Sequence, residues 1–193
     1  MGRVVRLRST IARPADLTAY TAGDEISNSA TAGSASRMTF DMQGLENGQI
    51  LSAKVDLTAA SGDVVTTAAD FELLIFRTSD VPAAVGDNVT NPIAAATRSL
   101  AVARFRLDDG GWYNPLGAVA AGTSQFQAVP PTLVQPLATP VLEYPAFGVP
   151  FTFDGTPLTV AGRQFTAVLR ALGAWTPGAV VNTFGVTLDI DPT

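Results

Sequence analysis

The fold class follows from one alternating stretch of the chain, Ile50-Leu-Ser-Ala-Lys-Val-Asp-Leu-Thr-Ala59. Polar and apolar side chains alternate along it, so one set faces solvent and the other faces a core, as in a half-buried β-strand. The preceding segment, Gly44 to Gly48, contains Asn47-Gly48, which favours a tight hairpin turn. We therefore predict that this strand forms a hairpin with the alternating stretch 37–42.

Strand patterns recur on both sides of this segment. Residues 3–11 and 180–190 alternate in the same way, whereas Phe71-Glu-Leu-Leu-Ile-Phe76 is almost continuously apolar and predicts a strand covered on both faces. No long stretch repeats with the period of a helix. About ten strands at hairpin-like spacing predict an all-β fold, a single-domain antiparallel β-sandwich or jelly roll with long Pro-rich loops, over residues 1–193.

Two long connections interrupt the strands. The loop 79–98 contains a predicted helical turn over 93–98, with Asn91 as its cap. The segment 113–150 is a Pro- and Gly-rich excursion with seven prolines, and its short extended pieces are typical of edge strands. Its apolar side chains predict packing against another surface.

Two missing residue types exclude most catalytic and metal chemistry. The 193 residues include no Cys and no His, which removes disulfides, thiolate nucleophiles, the usual zinc ligands and every Ser-His-Asp arrangement. Carboxylate chemistry stays open, but the acidic residues fall in predicted turns, such as Asp108-Asp109, or at outward strand positions, such as Asp41. We therefore expect neither an enzyme nor a cofactor or metal site.

Charge and hydropathy limit the classes of partner. The formal net charge of −5 disfavours nucleic acid, because phosphate groups repel an acidic protein. Apolar runs end well before the ~20 residues that a membrane-spanning helix needs, and the start, Met1-Gly2-Arg3-Val4, lacks the apolar region of a signal peptide. We expect a protein made in the cytoplasm that binds neither nucleic acid nor a membrane.

The two terminal strand patterns carry opposite charges. Arg6 and Arg8 alternate with apolar residues in the first, and Asp189 and Asp191 do so in the last. These strands are predicted to pair, with an arginine beside an aspartate. The alternative is that the charges are solvated on two unrelated strands.

The tryptophans allow two interpretations. Trp112 and Tyr113 follow a double glycine, and Trp175 precedes Thr176-Pro177. These aromatic residues could form a sugar-stacking platform, or they could pack in core edges and subunit contacts. Packing is the favoured interpretation.

A longer segment resembles a known group of proteins. The stretch Arg13-Pro-Ala-Asp16-Leu-Thr-Ala-Tyr20-Thr-Ala-Gly23-Asp24 resembles the R-P-A-D-x-T-x-Y-x-A-G-D segment of small proteins encoded among the virion genes of tailed bacteriophages. The order of later features, from the Asn-Gly segment to Trp175-Thr-Pro177, is similar too. The resemblance covers most of the chain and is weak at 113–150.

This resemblance implies a virion structural protein of the capsid decoration (cement) type. The implied partner is the major capsid protein. The protein would be made in the host cytoplasm and would lie on the capsid exterior. It would form a homo-oligomer, with a trimer favoured. Residues 1–13 would be either an N-terminal arm or an ordinary first strand. The expected partner-contact residues are Arg3, Arg6, Arg8, Arg13, Trp112, Tyr113, Phe126, Tyr144 and Phe147.

Rival functions stay open from the residues alone. One is a carbohydrate-binding fibre or baseplate module, which a grouped exposed aromatic face would favour. Another is a tail-tube or connector component, which would assemble as a ring. A glycosidase, which needs two carboxylates across a cleft, is the least favoured.

Overall fold

A computed structural model describes residues 4–42, 44–59, 70–107, 112–113, 125–128, 132–134, 143–144, 148–153, 163–178 and 181–192. One short helix, α1 (Ala95–Arg98), and one 3-10 turn (Ala32–Ser34) accompany the strands. Among the described residues, no helix is long and apolar enough to cross a membrane. The strands are β1 (Val5–Ala12), β2 (Asp24–Ile26), β3 (Met38–Asp41), β4 (Asn47–Ala59), β5 (Phe71–Arg77), β6 (Val89–Thr90), β7 (Ala103–Leu107), β8 (Trp112–Tyr113), β9 (Gln125–Ala128), β10 (Thr132–Val134), β11 (Glu143–Tyr144), β12 (Val149–Thr152), β13 (Gln164–Ala171) and β14 (Asn182–Pro192).

The described strands form two antiparallel sheets. Sheet 1 has the order β1-β14-β4-β9-β8, and β12 also pairs with β4. Sheet 2 has the order β11-β10-β7-β5-β13-β2-β6, and β3 also pairs with β13. One core cluster contains apolar side chains of both sheets, such as Val186 and Leu188 of β14 with Leu73 and Phe105 of sheet 2. The predicted all-β class and antiparallel β-sandwich are confirmed.

Strand β5 is buried on both faces, as its apolar sequence predicts. Leu73 joins the core between the sheets, whereas Leu74 and Phe76 join a second cluster with Ile93 and Ala101. The second cluster lies on the outer face of sheet 2, under the loop that carries α1. This loop therefore acts as a third layer over the middle of sheet 2.

The predicted hairpin at 44–48 is wrong. Strand β3 pairs with β13 in sheet 2, whereas β4 pairs with β14 in sheet 1, so the chain crosses between sheets here. Gly44, with a φ of 78°, supplies the left-handed residue of the crossing. Gly48 instead lies inside β4, where a Cβ would stand 2.7 Å from the carbonyl oxygen of Asp191. Close packing, rather than a turn, explains this glycine.

Two smaller predictions have different outcomes. The helical turn exists, as α1, but Ala94 is its N-cap and makes no side-chain cap bond. The Asn91 side chain points elsewhere, and its Nδ2 donates to Glu25 Oε2 at 2.6 Å. The extended pieces of 113–150 do add edge strands: β8 and β9 extend sheet 1, and β10 and β11 extend sheet 2.

Candidate interaction surface

The outer face of sheet 1 carries the predicted charge complementarity. Strands β1 and β14 pair along their whole shared length, with Arg6 directly opposite Asp189. The alternation of β1 sends Val5 and Leu7 inward and both arginines outward. The predicted pairing of the first and last strands is therefore confirmed, and so is an arginine–aspartate contact between them. We call Arg6, Arg8, Ser52, Asp56 and Asp189 the charged face.

The first ion pair joins β1 to β14, and a hydrogen bond extends it to β4. Arg6 Nε donates to Asp189 Oδ1 at 2.6 Å, and Ser52 Oγ on β4 donates to Asp189 Oδ2 at 3.0 Å. The hydrogen bond from Arg6 lowers the pKa of Asp189, outweighing its partial burial. This carboxylate therefore stays ionised, with its charge balanced by Arg6, so it is unsuited to act as a general acid.

The second ion pair reaches over a glycine. Arg8 donates from both terminal nitrogens to Asp56, at 2.6 and 2.7 Å, although its direct neighbour on β14 is Thr187. A Cβ on Gly185 would lie 2.5 Å from Arg8 Nη2 and 2.6 Å from Asp56 Oδ2. The missing side chain therefore lets the guanidinium lie flat across β14.

The charged face is polar, and its arginines are open to solvent. The side chains of Arg6 and Arg8 are 65% and 51% exposed, while their carboxylate partners hold them in place. Bidentate pairing fixes a guanidinium without using all its donors. The arrangement can therefore present oriented N–H donors to a second protein surface.

Arg13, also expected to contact a partner, lies instead in the interior. Its side chain is fully buried, with Nε donating to Tyr20 Oη at 3.0 Å and Nη2 donating to Asp16 Oδ1 at 2.9 Å. Tyr20 in turn donates to Asp87 Oδ2 at 2.6 Å. Because these contacts enclose the guanidinium, Arg13 offers no surface to a partner and instead joins the chain before β2 to the loop before β6.

The buried network also determines the protonation of its members. Burial, followed by the hydrogen bond to Asp87, raises the pKa of Tyr20 far above its ordinary value of 10.0. Burial raises the pKa of Asp87 as well, although hydrogen bonds from Tyr20 and the Ser27 amide oppose it. The phenol thus stays protonated and serves as a donor.

Trp175 belongs to the same interior. Its ring centroid lies 5.1 Å from that of Tyr20 and 5.4 Å from that of Phe71. The packing interpretation is confirmed for this tryptophan, which cannot contribute to an exposed sugar platform.

The remaining predicted contact residues lie in or beside the edge strands. Trp112 and Tyr113 form the edge strand β8, and Tyr144 lies in the edge strand β11. Phe126 lies one strand further in, in β9, opposite Leu57 of β4. Arg3 and Phe147 lie outside the described residues, as does the Asp108-Asp109 turn.

One charged cluster escaped the sequence prediction. Glu72, inside the apolar run of β5, is fully buried and pairs with Arg104 on β7 and Arg170 on β13. The only signal in the sequence was the presence of charged residues within otherwise apolar strands. Elsewhere in the described segments, no group of three or more acidic side chains could hold a metal ion.

Neither a protein-family model nor a curated protein matches the sequence. Some solved structures are similar at low identity. The capsid asymmetric unit of cyanophage Pam1 has 10% identity and a TM-score of 0.32, covering 100% of this chain and 86% of that one. The 60-mer BFDV capsid protein has 12% identity and a TM-score of 0.35, covering 99% and 94%. A chain of maize chlorotic mottle virus has 10% identity and a TM-score of 0.27, covering 100% and 94%. At these TM-scores the likeness is too remote to assign a function.

Proposed function

We propose that this chain is a non-enzymatic structural protein of a virion, which decorates and stabilises a phage capsid by binding the major capsid protein from outside. The observation that carries the proposal is the charged face of sheet 1. Its arginines are held by carboxylates on neighbouring strands, and these carboxylates are engaged with arginines or a serine rather than available for catalysis.

The physical form of the charged face suits binding to another protein. Arginine is enriched in protein interfaces because its planar guanidinium makes several fixed hydrogen bonds at once. Arg6 and Arg8 are already held by Asp189 and Asp56, so little side-chain entropy is lost when a partner binds. An acidic or carbonyl-rich patch of the shell would complement them.

The resemblance to phage virion proteins gains a physical explanation from the buried network. Arg13, Asp16, Tyr20 and Asp24 of the resembling segment all make hydrogen bonds that hold the loops around β2. The shared residue pattern is therefore that of a structural element, which suits a protein whose role is structural. The resemblance supports a virion setting and, within it, a trimeric or other homo-oligomeric form.

The carbohydrate-binding alternative loses one of its supports. That interpretation grouped Trp175 with Trp112 and Tyr113, but Trp175 is buried against Tyr20. No second function is proposed.

Reconstitution tests the proposal. Capsids made without this protein are mixed with the purified chain, and the amount that sediments with the shells is measured against concentration. We expect saturable binding at a fixed ratio to the major capsid protein. A failure to bind shells at any concentration up to that reached in an infected cell would overturn the proposal.

Charge reversal tests which surface binds. Replacing both Arg6→Glu and Arg8→Glu should weaken shell binding about tenfold or more, because desolvated arginines are frequent hot spots of interfaces. The matched control is Arg106→Glu, a half-exposed arginine on sheet 2, which should bind shells normally. Circular dichroism confirms that each variant is folded. Equal weakening of shell binding by Arg106→Glu would exclude the charged face as the binding surface.

A further inference from the structure

Strand β1 forms one edge of sheet 1. It stands at the end of the strand order, and of the described strands only β14 pairs with it. The pairing runs over Val5–Ala12 without a register shift, and this strand contains no proline. Short length, proline and bulges are among the devices that protect a strand edge from other chains. Strand β1 has none of these three, so its outer edge is suited to pairing with a further strand.

The open part of this edge is the stretch 5–8. Further along the strand, Ser9 Oγ accepts a hydrogen bond from the Thr39 amide of β3 at 3.2 Å, and Ile11 is buried. Val5 and Leu7 point into the sandwich as well, but they are only half-buried. The described residues therefore cover the core between the sheets incompletely beside 5–8.

The outward positions of the same stretch are positively charged. They are Arg6 and Arg8, whose side chains are 65% and 51% exposed. Directly opposed residues of neighbouring strands lie close together on one face, so opposite charges attract there and like charges repel. Arg6 shows this attraction on its inner side, where it lies opposite Asp189 of β14. An acidic residue on the outer side would be attracted in the same way.

A second copy of the chain does not suit this edge. Two copies of β1 related by a two-fold axis would place outward residues opposite outward residues. Within 5–8 both outward residues are arginines, so like charges would oppose each other and disfavour the pairing. The charge of the edge therefore favours a different chain, one with acidic residues at alternate positions of an extended strand.

We propose that the stretch 5–8 of β1 binds an extended acidic strand of the major capsid protein. Its acidic side chains would lie opposite Arg6 and Arg8, and its alternate, apolar side chains would cover Val5 and Leu7. The backbone of the added strand would hydrogen-bond to the edge of β1, as peptides do when they extend a sheet. The inference rests on the proposed function for the identity of this partner.

A peptide titration tests the edge without the shell. The probe is a capped peptide of alternating valine and aspartate, and the control is the same peptide with lysine in place of aspartate. In ¹H–¹⁵N spectra of the full chain, the aspartate peptide should shift the amide signals of residues 5–8 saturably, and the lysine peptide should not. Unshifted signals, or equal shifts with both peptides, would overturn the proposal.

An inward-pointing charge tests whether the shell uses the same edge. Val5→Lys places an ammonium group where the added strand would bring its apolar side chains. Shell binding should weaken about tenfold or more, since burying an unpaired charge is costly. Val4→Lys, the matched control, adds the same charge at the neighbouring exposed position and should bind shells at least as tightly as the wild type. Circular dichroism confirms that both variants are folded.

The edge contact and the proposed function can fail separately. Normal shell binding by Val5→Lys would overturn the edge contact and leave the proposed function standing. Failure of the wild type to bind shells would overturn the capsid protein as the partner, even if the aspartate peptide binds. Should Val5→Lys fold poorly, the peptide titration on the wild type still decides whether this edge accepts an acidic strand.

Discussion

At the scale of single residues, the most consequential side chain of sheet 2 is the buried carboxylate of Glu72. It lies between Arg104 and Arg170 on the two neighbouring strands and is fully buried. Removing one partner of a buried ion pair leaves the other charge desolvated and unpaired. The stability of sheet 2 is therefore expected to depend strongly on this one group.

Replacing Glu72→Gln should lower the free energy of unfolding by about 3–5 kcal/mol. Urea denaturation, followed by circular dichroism, measures the change. Asp56→Asn is the matched substitution in a solvent-exposed pair and should cost only about 0–1 kcal/mol. Similar costs for the two substitutions would contradict the account of Glu72.

Gly48 is expected to be required for close packing within sheet 1. Gly48→Ala would bring a Cβ to 2.7 Å from the Asp191 carbonyl oxygen and 2.9 Å from the Phe151 ring, so it should destabilise the fold by about 1–3 kcal/mol. Gly173 has no atom within 4 Å of such a Cβ, and Gly173→Ala should stay within about 0.5 kcal/mol of the wild type. Equal stabilities of the two variants in urea would show that β4 and β14 pack differently.

Asp24 should contribute to the acid sensitivity of the fold. Burial raises its pKa, but hydrogen bonds from the Thr21 amide, the Thr90 hydroxyl and the Thr21 hydroxyl outweigh it, so the pKa is lowered from 3.8. The unfolded chain then binds protons more readily than the folded one. The stabilisation by Asp24 is therefore complete above the unfolded pKa and is lost as pH falls through the folded pKa.

Asp24→Asn should thus be less stable than the wild type at neutral pH, and the difference should shrink below about pH 4. Urea unfolding between about pH 6 and pH 2 gives the two curves. A difference in unfolding free energy that stays constant over this range would contradict the lowered pKa.

At the scale of elements, β5 is the strand on which two layers depend. Leu73 lies in the core between the sheets and Leu74 under the loop that carries α1. Both Leu73→Ala and Leu74→Ala should therefore cost about 2–5 kcal/mol of unfolding free energy. Leu100→Ala, at a 53% exposed position of the same loop, should change it by no more than about 0.5 kcal/mol. A small effect of Leu74→Ala would mean that the loop does not cover the sheet.

Strand existence was predictable from sequence, whereas strand partners were predictable only where charge added information. The alternation of Met38 and Phe40 requires one buried face, but a hairpin and a crossing between sheets satisfy that requirement equally. The preference of Asn47-Gly48 for turns was overridden because β12 and β14 pack against Gly48. The opposite charges of β1 and β14 did identify a pair, since Arg6 and Asp189 lie on directly opposed residues.

The candidate surface was predictable only in part, because alternation shows which side chains face outward but not which strands are neighbours. Arg6 and Arg8 were identified by alternation, but Asp56 was not, because Arg8 reaches it diagonally across a third strand through the space at Gly185. Arg13 was expected to contact a partner because it belongs to the Arg-rich N-terminal segment. Its burial requires Tyr20, Asp16 and Asp87 together, and residues 13 and 87 are far apart in sequence.

At the scale of the whole molecule, the two outer faces differ in character. Sheet 1 exposes arginines that are already paired with carboxylates, which suits the docking of a protein surface. Sheet 2 is instead covered over its middle by the loop that carries α1, which packs on Leu74 and Phe76. The proposed capsid contact therefore belongs to sheet 1, in which β9 and the edge strand β8 follow β4.

The central claim is that this chain is a structural component of the phage head. To test this proposal, virions of the phage proposed to encode the chain are purified, heads are separated from tails, and both fractions are analysed by quantitative mass spectrometry. The account predicts that the chain is found in the heads at a fixed ratio to the major capsid protein. Its absence from heads, or its presence in tails alone, would contradict the account.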